Sequence, residues 1–302
     1  MIYYPEGTNP RLTKTFASAE EVKVAMKSGE VVEGKVLLCD RGHNLHIDLG
    51  AVRGIIPREE GALGIREGTV RDIALISKVG KTVCFKIIGF HREDSGLVSA
   101  ILSRRMVQLE CMRDCIDTLR QGDVIDAVVT HLEQFGAFID IGAGINSLIP
   151  IDMLSVSRIN HPSERLYPGE KIKAVLRKRE PEKLTFSLKE LLGTWCENAT
   201  LFSVGETVTG VVRSIEEYGV FVELMPNLAG LAEPGYDVEV GQTVSVFVKS
   251  IIPEKMKIKL VIVESFDIER HPKELRYFVS GSHTDRWDYS YPDCKKLICT
   301  EF

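Results

Sequence analysis

The sequence predicts an all-β protein of three tandem five-stranded barrels of the OB type, joined by short helical linkers and followed by a C-terminal extension. Three segments repeat one pattern, and each opens with a glycine, an acidic residue and a β-branched run, at Gly29, Gly122 and Gly205. Turn signals recur every roughly 8–12 residues between these runs, as expected for short strands. Five strands in roughly 70 residues fit a partly open Greek-key barrel of this type.

The pattern divides the chain into seven consecutive segments. They are an N-terminal arm (1–19), a divergent first barrel (20–105), a helical linker (106–120), a second barrel (121–190), a linker (191–204), a third barrel (205–265) and a C-terminal extension (266–302).

The linkers and the tail are predicted from local signals. A capping box from Ser18 to Glu21 predicts a helix before the first barrel. The linker helix follows from apolar residues at helical spacing, namely Met106, Leu109, Met112, Ile116 and Leu119. The first copy carries an extra hairpin, expected around Gly80. The aromatic tail reads as a β-hairpin or a docked extension.

Three stretches of the second copy carry a family resemblance. They are "GDVIDAVVTHLEQFGAFIDIG", "SLIPID" and "GEKIKAVLRKREPEKLTFSLKE", and the third copy repeats them in "GETVTGVVRSIEEYGVFVEL" and "GQTVSVFVKSI". They resemble the RNA-binding domain named after ribosomal protein S1 of the bacterial small subunit. The resemblance covers roughly residues 20 to 265 and implies OB-fold domains that bind single-stranded RNA.

Two phenylalanines in "QFGAF", Phe135 and Phe138, are the leading candidates for base stacking. Strand alternation places Ala137, Ile139 and Ile141 on one face, and Phe138 with Asp140 on the other, which predicts that both face water. Exposed rings suit unpaired bases because every base has a π-face. The alternative is that the rings plug the barrel end or pack on a neighbouring domain.

The same two positions hold rings in the other copies. They are Tyr218 and Phe221 in "EYGVF", with Glu223 expected on the same outward face as Phe221, and His43 and His46 in "GHNLH". Stacking and packing are equally favoured for the third pair, and packing is favoured for the histidines because neutral imidazoles stack less well.

Bound RNA also needs cations for its phosphates. The candidates in the second copy are His131, Arg177, Arg179 and Lys183, and the third copy offers Lys257. The resemblance implies that Lys183 takes the place of a family RNA contact and that His131 lies where a basic residue is frequent. Arg179 departs from the family, which is commonly acidic there.

A second departure concerns a histidine that the family often places near the nucleotide. This chain has Pro57, Pro150 and Glu233 at that position in its three copies. The third copy is also acidic, with nine acidic against five basic residues between 205 and 265. The second barrel is therefore predicted as the main RNA-binding domain, the first as a helper, and the third as a poor RNA binder that could instead dock a protein.

Composition limits the remaining classes. The net charge of −5 excludes a uniformly basic nucleic-acid protein, so that binding must be local. No signal peptide or membrane span is expected, and seven cysteines without paired spacing predict reduced thiols in a cytoplasmic protein. No phosphate loop or metal motif is present, so that no catalysis, cofactor or small-molecule substrate is expected. His271, His283, Cys294 and Cys299 do not match the spacing of a zinc finger.

Taken together, these features predict a non-enzymatic, single-stranded RNA-binding protein that acts in translation or mRNA handling, with mRNA and the small ribosomal subunit as expected partners. The rival hypothesis is a protein-interaction scaffold of degenerate OB domains that docks on a ribosome or an RNA-processing complex. A third is an accessory subunit of an RNA-processing complex.

Overall fold

Three closed five-stranded barrels form the structure, a computed structural model that describes residues 3–92, 98–180, 183–266, 275–295 and 297–302. The predicted all-β class of tandem OB-type barrels is confirmed. The first barrel consists of β1 (Val32–Cys39), β2 (Leu45–Asp48), β3 (Arg53–Ile56), β4 (Thr82–Arg92) and β5 (Val98–Ser103). The second consists of β6 (Val124–Glu133), β7 (Gly136–Asp140), β8 (Asn146–Pro150), β9 (Lys171–Glu180) and β10 (Lys183–Ser187). The third consists of β11 (Thr207–Glu216), β12 (Gly219–Met225), β13 (Leu228–Ala232), β14 (Thr243–Ile252) and β15 (Lys257–Phe266).

All three barrels share one strand order, in which the third strand pairs with the fifth and the fifth with the fourth. The third and fifth strands pair in parallel in each barrel. This shared register makes positions in one barrel directly comparable with positions in the others.

The helices are short and lie outside the barrels. They are α1 (Ala19–Ser28), α2 (Ile73–Ile76), α3 (Arg104–Asp114) and α4 (Trp195–Ala199). The Ser18 hydroxyl accepts a hydrogen bond from the Glu21 amide and caps α1, as predicted. No helix among the described residues is long and apolar enough to cross a membrane.

The predicted linker helix is present as α3, which buries Val107 and Cys111 and leaves Met106 and Leu109 exposed. The predicted hairpin was wrong. No hairpin forms around Gly80, because a 3-10 helix (Arg58–Glu60), turns and α2 connect β3 to β4.

The chain divides into two compact units: residues 1–119 with 140–146, and residues 120–139 with 147–302. In the first unit the N-terminal arm is part of the core. The buried Arg104 guanidinium donates to Glu6 from Nε at 2.6 Å and from Nη2 at 3.0 Å, and to the Gly61 and Gly144 carbonyls. Since a buried charge is tolerated only when it is paired and hydrogen-bonded, this network fixes the arm in place.

Glu33 is a second buried carboxylate near this network. Its Oε1 accepts from the Gly7 amide at 3.1 Å, whereas its Oε2 has no hydrogen-bond partner within the described ranges. Burial, with a contribution from the charges of Glu6 and Asp140, raises the pKa of Glu33 to about 7. The folded protein therefore favours the neutral acid.

Glu33→Gln is expected to stabilise the protein at neutral pH. A folded-state pKa of about 7, above the ordinary value of 4.5, means that wild-type stability falls as pH rises from 4.5 to 7, since only the unfolded chain ionises freely there. The difference between variant and wild type should grow over this window to about 2 kcal/mol and stay constant above it. This is below the roughly 3.4 kcal/mol that a rise in pKa from 4.5 to about 7 represents, because solvent screens part of the interaction. Denaturant unfolding across the window measures this, with Glu239→Gln on the surface of the third barrel as control. A difference in unfolding free energy that does not change with pH would contradict the raised pKa of Glu33.

The C-terminal extension belongs to the second unit and contacts both of its barrels. Its strands β16 (Arg286–Asp288) and β17 (Cys299–Glu301) form a two-stranded antiparallel sheet. Trp287 and Tyr289 lie in the apolar core of the third barrel, and the Tyr289 hydroxyl donates to the Asn227 carbonyl at 2.7 Å. The tail is therefore both a hairpin and a docked extension.

Contacts with the second barrel complete the docking. The Val124 amide donates to the Ser282 carbonyl, and the Thr284 amide to the Gly122 carbonyl, both at 2.9 Å. The Thr300 hydroxyl donates to the buried Glu190 carboxylate at 3.0 Å. The extension thus holds the second and third barrels together.

Candidate nucleic-acid interface

Three rings lie together on the outside of the second barrel, and we call them the ring cluster: His131, Phe135 and Phe138. The imidazole of His131 stacks on Phe138, with 4.2 Å between ring centroids and 10° between planes. Phe135 meets the same ring edge-on, at 5.9 Å and 84°. Phe135 is 56% exposed and His131 is also exposed, while Phe138 is half-buried between them. Flat apolar faces thus remain open to solvent.

Strand register explains why these side chains meet. Hydrogen bonds join residue 135 with 151 and residue 141 with 145, so Phe138 on β7 lies opposite Leu148 on β8. Leu148 in turn pairs with Thr185 on β10. The outer face therefore carries a row of side chains across four strands, which we call the platform row: His131, Phe138, Leu148 and Thr185.

Lys183 is the cation best placed beside this row. It is exposed and lies two residues before Thr185 on β10, hence on the same face of the strand. Lys178 lies opposite Thr185 and pairs with Glu180 at 2.6 Å. Arg179 is exposed on β9, next to Lys178. Because it lies opposite Leu184 and not Thr185, its Cβ points to the face opposite the platform row.

Arg177 is held by the C-terminal extension. Its Nη1 donates to the Glu301 carbonyl at 3.0 Å, and its guanidinium lies 5.6 Å from the centroid of the Phe302 ring. A phosphate would have to compete with both contacts. Among the predicted cations of the second barrel, the structure therefore favours Lys183 over Arg177.

The third barrel keeps most of this arrangement. Its row runs from Ser214 to Phe221, Leu231 and Lys259. Tyr218 is 64% exposed and meets Phe221 edge-on at 6.1 Å. Lys257, two residues before Lys259, has the position that Lys183 has in the second barrel. A serine stands where the second barrel has His131, so the third ring is missing.

The first barrel has no such platform. Its row consists of Leu38, His46, Ile55 and Ile101. His46 Nε2 lies 3.0 Å from Asp40, and His43 Nδ1 lies 3.5 Å from Asp72. Both predicted imidazoles thus contact carboxylates. The pKa of Asp40 is held well below its usual range, and the hydrogen bond from His46 makes the largest contribution to this shift. The position of Lys183 is taken by Ser99, which is buried.

Two carboxylates that were expected to face water are buried. Asp140 accepts from the amides of Gly142 and Gly144 with Oδ1, and from the Glu6 amide with Oδ2. Burial raises the pKa of Asp140 to about 6, with a further contribution from the charge of Glu6. Backbone amides here replace the water that alternation predicted, so Asp140 closes the β7–β8 turn.

Glu223 is buried for a different reason, since two arginines enclose it. Arg165 Nη2 lies 2.5 Å from its Oε2, and Arg213 Nε lies 2.8 Å from the same oxygen. Glu233, which replaces the family histidine, pairs with Lys249 at 3.0 Å. Two of the carboxylates of the third barrel are therefore already paired with cations of the protein.

No metal centre emerges from the ligand types. The described residues contain no cluster of three or more His, Cys, Asp or Glu side chains able to hold a metal ion. His271 lies outside those residues. His283 instead sits between Asp123 at 2.6 Å and Asp285 at 3.1 Å.

A closed five-stranded barrel of the OB type with exposed rings beside a lysine on its outer face is an architecture suited to unpaired nucleic acid. Comparison with known proteins identifies the family: the S1 RNA binding domain family matches residues 26–102 and 118–189, which cover the first barrel except for its last residue, Ser103, and all of the second. Small ribosomal subunit protein bS1 of Staphylococcus aureus (strain COL) is 29% identical over 297 residues, which covers 91% of this chain and 73% of that protein. The bS1 homolog of Bacillus cereus is 30% identical over 277 residues, covering 85% and 70% of the two chains. The protein belongs to the bS1 family of S1-domain RNA-binding proteins.

His131 is the one ring that sequence reasoning assigned to another role. It was predicted to act as a cation, and the structure makes it the third ring of the cluster. A β-bulge in the first strand of the barrel shifts the alternation of side chains, and recognising it would have placed His131 beside Phe138. Register shifts between Val36 and Leu38 and between Val212 and Ser214 mark this bulge in the other barrels.

Proposed function

We propose that this protein binds single-stranded RNA in translation, that the ring cluster of the second barrel stacks the bases, and that Lys183 contacts the phosphates. The ring cluster carries the proposal, because an exposed face of three rings beside a cation fits an unpaired base and its backbone. The third barrel adds a weaker site at Tyr218, Phe221 and Lys257. The names of the relatives support the small ribosomal subunit as the setting, and mRNA is the single-stranded RNA that we propose the protein binds there.

The phosphate contact predicts a salt dependence. Affinity for a single-stranded RNA should fall as salt rises, with a slope of about 0.7 per phosphate neutralised. Lys183→Gln should lower that slope by about one phosphate. Fluorescence anisotropy over a salt series measures it.

Lys173→Gln provides the matched control. Lys173 is an exposed lysine of the neighbouring strand β9, and it pairs with Asp126 at 3.1 Å where β9 faces the start of β6. Its removal should leave the slope unchanged. Equal salt slopes in wild type and Lys183→Gln would show that Lys183 does not contact a phosphate. Absence of binding to any single-stranded RNA at low salt would contradict the proposed function.

A further inference from the structure

The first barrel exposes a set of aliphatic side chains that RNA binding does not use. Leu37 and Leu38 on β1 are 57% and 48% exposed, Ile73 and Ile76 on α2 are 64% and 43% exposed, and Val79 after α2 is 43% exposed. We call these five residues the α2 patch. Exposed apolar groups are ordinary when scattered, but a contiguous group indicates an interaction surface.

A side-chain contact at the start of the α2 segment and backbone hydrogen bonds at its end hold the segment beside β1. At its start, Asp72 contacts His43 in the turn that follows β1. At its end, the Gly80 amide donates to the Val36 carbonyl at 2.8 Å, and the Val36 amide donates to the Lys81 carbonyl at 2.9 Å. Because residues 72 and 80 are both fixed to β1 or its turn, the segment between them runs beside residues 37–40.

Local geometry turns the apolar side chains outward. The bulge after Val36 leaves Leu37 without a partner on β2, so that Leu37 and Leu38 are both exposed although they are neighbours in a strand. Ile73 and Ile76 are one helical turn apart, while Leu75 between them is buried in the barrel core. The patch is thus the outer side of a packed element.

The chemistry of the patch differs from that of the platform row in the other barrels. Leu38 occupies the position of His131, and both histidines of this barrel are engaged by carboxylates. Aliphatic side chains offer no ring for a base to stack on. The surface therefore favours protein over RNA.

Charge at the border indicates which kind of protein. Four exposed cations adjoin the patch in sequence: Lys35, Arg41, Arg71 and Lys81. The nearby carboxylates Asp40 and Asp72 are already paired with His46 and Arg58. An apolar strip bordered by cations complements a segment with an apolar stripe and acidic flanks.

We propose that the α2 patch docks an acidic, amphipathic segment of a partner protein. This assignment does not depend on the RNA site, since the two surfaces share no residue.

Site-specific photocrosslinking in cells tests the proposal. Benzoylphenylalanine replaces Ile73 in the full chain, and in a control chain it replaces Val24, which is 65% exposed on α1 of the same unit. We expect position 73, and not position 24, to crosslink a peptide that is net acidic with apolar residues at helical spacing. That peptide, synthesised and titrated, should bind at least about tenfold more weakly to Ile73→Ser with Ile76→Ser.

Each other outcome overturns the proposal. A nucleotide adduct at position 73 would make the patch an RNA surface, and a crosslink to a second copy would make it a self-association surface. Crosslinking of a neutral or basic peptide would contradict the proposed acidic partner. Equal crosslinking at positions 73 and 24 would show that the α2 patch is not a specific docking surface. Thermal unfolding of the double serine variant should match that of wild type, which reports that the first barrel is folded, and its RNA affinity should equal that of wild type.

Discussion

Replacing Phe135 and Phe138 together with Ala is expected to weaken binding of single-stranded RNA by about 2–5 kcal/mol, because each stacked base contributes about 1–3 kcal/mol. The structure strengthens the reason for choosing this pair. Phe138 lies between the other two rings, so that its removal also leaves His131 without its stacking partner. Equilibrium titration with a short unstructured RNA at fixed salt gives the affinity.

Tyr167→Ala is the matched control for that experiment. Tyr167 is an aromatic side chain of the second barrel that is 53% exposed but lies outside the ring cluster. Its replacement removes a comparable exposed ring and should leave affinity within a few tenths of a kcal/mol, as for surface substitutions generally. Unchanged affinity in a folded Phe135→Ala, Phe138→Ala chain would exclude base stacking at this cluster.

The three barrels are unequal in a way that sequence only partly predicted. Alternation correctly placed Ala137, Ile139 and Ile141 on the buried face of the second barrel, because a strand that covers a core has one apolar face. The rings fell at equivalent positions for the same reason. The repeat and the ring pairs were therefore accessible from local pattern.

The errors arose where a side chain meets a partner from far along the chain. Asp140 is buried because the Glu6 amide, 134 residues away in sequence, donates to it. Glu223 is buried because Arg165 reaches it across 58 residues. No local period contains such partners, so a carboxylate in a strand was expected to face water. The net charge of the third barrel likewise does not show that Glu223 is paired with Arg165 and Arg213.

The C-terminal extension shows a similar limit, since its composition indicated order but not its place of docking. Trp287 is 6% exposed and packs on Tyr289, with 5.4 Å between ring centroids. Both rings lie in the core of the third barrel with Trp195, which itself precedes that barrel in the chain. A segment after the last repeat therefore completes a core that the repeat alone would leave open.

Trp287→Ala is accordingly expected to destabilise the folded protein by about 3–5 kcal/mol, the cost of removing a large buried ring and leaving a cavity. Trp287→Phe should cost much less, about 1.5 kcal/mol or below, since a ring still fills the site. The indole Nε1 has no hydrogen-bond partner among the described residues, so its loss removes no bond there. Thermal unfolding followed by circular dichroism compares the two.

The extension also forms hydrogen bonds with Gly122 and Val124 of the second barrel. The loss of stability in Trp287→Ala should therefore appear in the unfolding transition of both barrels of the unit. Wild-type melting of Trp287→Ala would mean that the extension contributes nothing to this core.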